Sequence, residues 1–242
     1  MQLTQEWDKT FPQSENVVHK KVTFGNRYGI TLAADLYIPA NVGAGKLPAI
    51  VFSGPFGAVK EQSSGLYAQT MAARGFVTLA FDPSFTGESG GNVRDTASPE
   101  IFTEDFSAAV DFIGLLPQVD RGRIGAMAIC GLSGMAITAA SSDSRIKAVA
   151  TASMYDMSRS ISRGYKDSYT EDQRHNVIDY ISQQRWEDAE KGSFTRGYHE
   201  VPFDNKGNIL TSERLFPDAL PADADPVVVS FYNYYCKPRG YH

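Results

Sequence analysis

Apolar and polar positions alternate loosely over Val17-Val18-His19-Lys20-Lys21-Val22-Thr23-Phe24 and again over residues 30–38, where Pro39 stops the run. Gly25-Asn26-Arg27-Tyr28-Gly29 lies between the two runs and supplies turn residues. This pattern predicts an antiparallel hairpin with His19 at its surface. Residues 1–15 are polar and read as an arm over the surface.

From residue 47 the pattern changes to short, largely apolar runs that read as strands, the first two as strands buried on both faces. They are Leu47-Pro48-Ala49-Ile50-Val51-Phe52-Ser53, Phe76-Val77-Thr78-Leu79-Ala80-Phe81, residues 123–129 and Ile146-Lys147-Ala148-Val149-Ala150-Thr151-Ala152. Helical segments fall between them. The first carries Leu66, Tyr67, Met71 and Ala72 and is stopped by Gly75. The second starts at Ser98-Pro99, an N-cap followed by proline, and places Phe102, Phe106, Ala109, Val110 and Ile113 on one face. The third opens at Met135-Ala136-Ile137 and runs to about residue 141. Strands alternating with helices over residues 47–152 predict βαβ units, a parallel sheet and right-handed crossovers.

Beyond residue 157 this rhythm stops. Thr170-Glu171-Asp172-Gln173 is a capping box, opening a helix with Val177, Ile178, Ile181 and Trp186 that Gly192 closes. Residues 193–226 are loop-rich. Val227-Val228-Val229-Ser230-Phe231-Tyr232-Asn233-Tyr234-Tyr235 suits either a strand or one face of a helix. The expected division is an α/β core over residues 1–156 and a cap or insertion over residues 157–242.

In parallel α/β sheets ligands bind beyond the carboxyl ends of the strands. Gly54 to Gly57, Asp82 to Ser89, Cys130 and Tyr155-Asp156 all fall at those ends. The most informative stretch is Ile124-Gly125-Ala126-Met127-Ala128-Ile129-Cys130-Gly131-Leu132-Ser133-Gly134-Met135, the outline of a nucleophile elbow. Strand length favours Cys130 as the nucleophile. Gly131-Leu132-Ser133-Gly134 reads instead as the start of G-x-S-x-G around Ser133, although Met135 stands where the last glycine belongs. A buried structural thiol is the plain alternative for Cys130.

Composition narrows the picture. At 242 residues and 42% hydrophobic, the chain can bury one sizeable α/β core. A net charge of −5 offers no footprint for nucleic acid or an anionic membrane. No apolar run approaches a membrane span, and the first residues lack the pattern of a signal peptide. Two cysteines, Cys130 and Cys236, are too few for a disulfide framework, so a reducing cytoplasm is expected. No metal cluster, phosphate loop or dinucleotide fingerprint is evident, since Gly87-Glu88-Ser89-Gly90-Gly91 has the wrong spacing; no cofactor or metal is expected.

Taken together, Gly54-Pro55-Phe56-Gly57-Ala58-Val59-Lys60-Glu61-Gln62, Gly75-Phe76-Val77-Thr78-Leu79-Ala80-Phe81-Asp82, Gly87-Glu88-Ser89-Gly90-Gly91, Cys130-Gly131 and Met154-Tyr155-Asp156-Met157 resemble the α/β-hydrolase superfamily. The resemblance is to its dienelactone-hydrolase-like branch, related to fungal polyketide transferases and thiohydrolases. It implies an α/β-hydrolase fold, mostly parallel with an N-terminal antiparallel hairpin and a C-terminal helical cap, and a Cys nucleophile at Cys130. Two positions depart from the branch: Leu132 where a small residue is usual, and Gly54 where a His is usual. Family members also continue past the segment resembling Arg239-Gly240-Tyr241-His242 with two more strands, whose loops carry the triad acid and His. The chain therefore reads as lacking its C-terminal part, which would leave a sheet edge open to dimerisation. Asp156 occupies a position that some α/β-hydrolases use for the acid, with a loop or cap salt bridge as its plainer role. None of His175, His199 and His242 is assignable as the base.

The chemistry implied is acyl transfer from a small ester, lactone or thioester. Cys130 thiolate attacks the carbonyl, the helix N-terminus behind it favours the anion, and the N–H groups of Gly131 and of Phe56 or Gly57 hold the oxyanion. A non-catalytic α/β-hydrolase-fold binding protein and a serine esterase or peptidase using Ser133 are the alternatives.

Overall fold

Val17–Gly25 (β1) and Thr31–Pro39 (β2) pair antiparallel, with Val17 opposite Pro39 and Gly25 opposite Thr31. The Asn26 side-chain carbonyl closes their turn by accepting from the N–H groups of Tyr28 and Ile30. Four further strands complete the sheet: Leu47–Ser53 (β3), Val77–Phe81 (β4), Val119–Ile129 (β5) and Ile146–Ala152 (β6). The spatial order is β1-β2-β4-β3-β5-β6. β3 runs parallel to β4 and β5, β5 runs parallel to β6, and the hairpin joins antiparallel through β2 and β4. The connecting helices are Ser63–Ala72 (α1), Pro99–Gly114 (α2) and Ser133–Ser142 (α3). This is the mostly parallel sheet with an N-terminal hairpin that an α/β-hydrolase fold requires.

The computed structural model describes residues 3–195, apart from 42 and 44. The chain divides between Tyr155 and Asp156 into two compact units. The second contains Met157–Arg163 (α4) and Glu171–Lys191 (α5). Both halves of the Thr170/Gln173 capping box are made, and α5 ends at Gly192 with a left-handed φ of 66°. The strand-or-helix segment 227–235 lies outside the described residues, as do Cys236, His199 and His242. No helix among the described residues is long and apolar enough to cross a membrane.

α2 starts as its sequence predicts, with Ser98 Oγ accepting from the Ile101 N–H, and Phe102, Phe106, Ala109, Val110 and Ile113 are all buried. Elsewhere the structure departs from the pattern. β5 begins four residues earlier than its apolar run, at Val119, because the register jumps between the Leu47–Val119 and Ala49–Ile124 pairs. The exposed Arg121, Gly122 and Arg123 occupy that irregularity and hide the strand in the sequence. α1 turns Leu66 and Tyr67 toward solvent and buries Ser64, Gly65, Ala68, Gln69 and Ala72. Small residues suffice there because Tyr37 and Phe52 supply the bulk against which Ala68 and Ala72 pack.

Two expectations about the first 20 residues need correction. The N-terminal arm does run over the surface, with most of its described residues exposed, but it is not simply polar: Phe11 is buried, Trp7 packs against the cluster around Tyr37 and Phe52, and the Lys9 side chain is fully enclosed. Gln69 clamps the arm by accepting from the Ser14 N–H and donating to the Pro12 carbonyl. His19 is not a surface histidine either. Its side chain is 4% exposed and its Nε2 lies 2.8 Å from Asp35 Oδ1, beneath the Trp7 ring.

Candidate active site

β5 leaves the sheet at Ile129, whose φ of −121° and ψ of 137° are still extended. The next residue, Cys130, has a φ of 57°, and by Ser133 the backbone is helical. A left-handed conformation at a residue with a Cβ is costly and persists only where its surroundings impose it. Here the imposing element is the strand-to-helix reversal itself. The reversal leaves Cys130 half-buried, while Gly131 and Leu132, in the same short 3-10 turn, are buried. The Gly131 N–H lies in the first turn, where helical donors have no intrahelical acceptor.

Ser133 occupies a different environment. It is fully buried, has ordinary helical angles, and its Oγ donates to the Ala128 carbonyl at 3.1 Å.

The loop after β3 comes close to this turn. A Cβ at Gly54, where φ is 96°, would lie 2.4 Å from the Ile129 carbonyl oxygen and 3.2 Å from Leu132 Cβ. The two departures from the family pattern thus face one another, but it is chiefly the Ile129 carbonyl that leaves no room for a side chain at Gly54; the contact with Leu132 is to its Cβ alone. Pro55 to Ala58 then form a turn closed by the Ala58 N–H donating to the Pro55 carbonyl, with Gly57 supplying the left-handed φ of 79° at its third position. Phe56 sits at the second position, its ring centroid 6.3 Å from that of Phe102.

Behind the loop lies a buried ion-pair network that the sequence pattern does not reveal. The Lys60 side chain is wholly enclosed, and its Nζ donates to Glu61, Asp82 and Glu88. Lys21 Nζ, equally enclosed, donates to Glu88 and to Asp8 of the arm. Burial alone would push the Lys60 ammonium below the usual lysine range; Asp82 and Glu61 outweigh that and raise it. Burial and the neighbouring Asp82 charge raise Glu61. Burial acts in the same sense on Glu88, but bonds from Lys21 and Lys60 outweigh it and lower that carboxyl. Glu61, Asp82 and Glu88 place oxygens within 4.8 Å of one another, a carboxylate cluster of metal-binding size, but Lys60 bonds all three. The only hint in the sequence is Asp35, a charge within an otherwise apolar strand.

The remaining candidates are engaged locally. Asp156, in the second unit, caps α4: its Oδ1 accepts from the Arg159 N–H at 2.9 Å and from Ser158 Oγ at 2.7 Å, which lowers its carboxyl. His175 Nδ1 lies 2.8 Å from the Glu171 carbonyl one turn back along α5.

The geometry agrees with what the chain is similar to. The uncharacterized protein PA2218 of Pseudomonas aeruginosa is 60% identical over all 242 residues, which span 61% of that protein. A crystal structure of the hypothetical protein PA2218 matches with a TM-score of 0.81 at 59% identity, covering 100% of this chain and 70% of that one. The thiohydrolase aneE of Aspergillus aculeatus is 32% identical over 56% of this chain and 42% of its own length. An α/β hydrolase from Penicillium, GrgF, shares the fold with a TM-score of 0.63 at 20% identity, over 79% of this chain and 61% of that one. The chain therefore spans less than two-thirds of the length of these curated relatives. The family model of the X-Pro dipeptidyl-peptidases matches residues 28–196, a stretch that holds β2 to β6, the elbow and the loop facing it, and on this match the chain belongs to that S15 family, within the α/β-hydrolase superfamily.

Proposed function

We propose that this chain carries out acyl transfer from an ester, lactone or thioester through a covalent acyl-Cys130 intermediate. The observation that carries the reading is the backbone of Cys130: a left-handed φ of 57° at the strand-to-helix junction, with the side chain half-buried. Ser133, three residues on, is enclosed and bonded to the strand it follows. Membership of the S15 family and similarity to a fungal thiohydrolase support hydrolase chemistry.

In the proposed step the Cys130 sulfur attacks the acyl carbon. A C–S bond forms, the C–O or C–S bond to the leaving group breaks, and its electron pair departs with the leaving group. The Gly131 N–H and the N–H of Phe56 or Gly57 bind the oxyanion of the tetrahedral intermediate. Water or another acceptor then attacks the thioester carbon, the C–S bond breaks with its electron pair returning to the Cys130 sulfur, and the acceptor's proton passes to solvent.

The test is incubation with p-nitrophenyl acetate followed by intact and peptide mass spectrometry. The expected result is an acetyl group on Cys130, trapped or turned over, that is absent in Cys130→Ala and retained in Ser133→Ala. Labelling that survives in Cys130→Ala but disappears in Ser133→Ala would transfer the role to Ser133. An unlabelled chain with no turnover would favour a binding scaffold.

A further inference from the structure

We infer that Asp82, through its grip on Lys60, is the positioning residue that sets the oxyanion loop against the Cys130 elbow; the inference rests on the acyl-Cys130 reading. Asp82 follows β4 directly and is fully buried. One of its oxygens accepts from the Lys60 backbone N–H at 2.7 Å. The other accepts from Lys60 Nζ at 3.0 Å and from the Glu88 N–H at 2.9 Å. Asp82 therefore ties two loops to the carboxyl end of the sheet: the β3–α1 loop holding Phe56 and Gly57, and the β4–α2 loop.

The β3–α1 loop is fastened at two points with the proposed oxyanion donors between them. Gly54 is wedged against the Ile129 carbonyl and Leu132, and Lys60 is held by Asp82 at both its backbone and its ammonium group. The Pro55-to-Ala58 turn spans the interval. A buried lysine with three carboxylate partners adds little net stability, because desolvation offsets most of the Coulombic gain. It does demand one geometry, since all three ammonium donors must meet fixed acceptors. That property suits a device that sets the height of a loop.

Two reagents separate positioning from general support. Acetylation by p-nitrophenyl acetate passes through a tetrahedral oxyanion and needs the loop donors. Alkylation by iodoacetamide forms a C–S bond as iodide leaves, develops no oxyanion and needs only an accessible thiolate. In Asp82→Asn the expected result is Cys130 acetylation at least tenfold slower with alkylation within twofold of wild type, since one oxyanion donor is worth about a hundredfold or more. Glu88→Gln, at a partly exposed position, keeps the Asp82 link and still accepts from Lys60; it is expected to slow acetylation about threefold, again sparing alkylation.

Equal slowing of both reactions, or unchanged acetylation in a folded Asp82→Asn chain, would overturn the inference. Should Asp82→Asn fail to fold, the ratio of the two rates in Lys60→Gln, which removes the ammonium half of the Asp82 grip, decides in the same way. Failure of the wild-type chain to acetylate at Cys130 would remove the acyl-enzyme reading, which distinguishes the two failures.

Discussion

Gly54 shows how narrowly single residues are constrained around the elbow. Its φ of 96° suits glycine, and a Cβ there would meet a carbonyl oxygen of the backbone, which cannot swing aside as a side chain can. Gly54→Ala is therefore expected to destabilise the chain by about 3 kcal/mol, combining left-handed strain with overpacking. The measurement is the urea midpoint. A midpoint within error of wild type would show that the turn has room for a Cβ. Leu132 bears on this only through its own Cβ, 3.2 Å away, which any residue but glycine would present.

Among elements, the junction between α2 and the loop after β4 is polar and buried. Asp105 of α2 accepts from the Ser84 N–H at 2.7 Å, from Ser84 Oγ at 2.9 Å and from Asn26 Nδ2 of the hairpin turn at 2.7 Å. Burial raises its carboxyl to about 6 in spite of these donors. A carboxyl with a raised folded-state value contributes stability that is complete below pH 3.8 and is lost as pH rises through about 6. Wild type should therefore lose stability relative to Asp105→Asn between pH 4 and 6.5, by roughly 3 kcal/mol at most. Urea melts of both proteins across that range provide the check, and parallel curves would show that the three donors cancel the cost of burial. This joint was not readable in the sequence. Asn26, Ser84 and Asp105 belong to a turn, a loop and a helix, and each residue type is ordinary in its own segment. The elements themselves were legible: the capping box of α5, the Ser98 cap of α2 and the apolar runs of β3 and β6 all lie where their patterns place them.

For the molecule as a whole, the N-terminal arm belongs to the α/β unit. Lys9 Nζ lies 3.0 Å from Asp35, Asp8 bonds Lys21, and the Thr10 N–H donates to the Glu61 carbonyl. Deleting residues 1–15 would expose the surface under Phe11 and Trp7 and leave Asp35 and Lys21 short of partners. The expected loss is at least about 3 kcal/mol, from one buried aromatic and the weakened ion pairs. A urea midpoint within error of the full chain would show that the arm is ornamental. The network under the arm continues through Lys21 and Glu88 to Lys60 and Asp82, so truncation should also slow Cys130 acetylation more than its alkylation.

Hydrophobic periodicity by itself located the strands and helices of the α/β unit, apart from the first residues of β5, and the strand-to-helix turn at Cys130, because each depends on spacing within one short segment; their alternation implied the parallel sheet. It also marked Cys130 and the glycines after β3, since local backbone demands restrict which residues can stand there. Tertiary structure alone decided three things: that Ser133 faces inward, that the side chains of His19, Lys9 and Phe11 are buried, and that Asp82 links two loops through Lys60. The reason is physical. A charged residue reads as solvent-facing until its partner is known, and here the partners lie up to 79 positions away in the chain, brought together only when the sheet assembles.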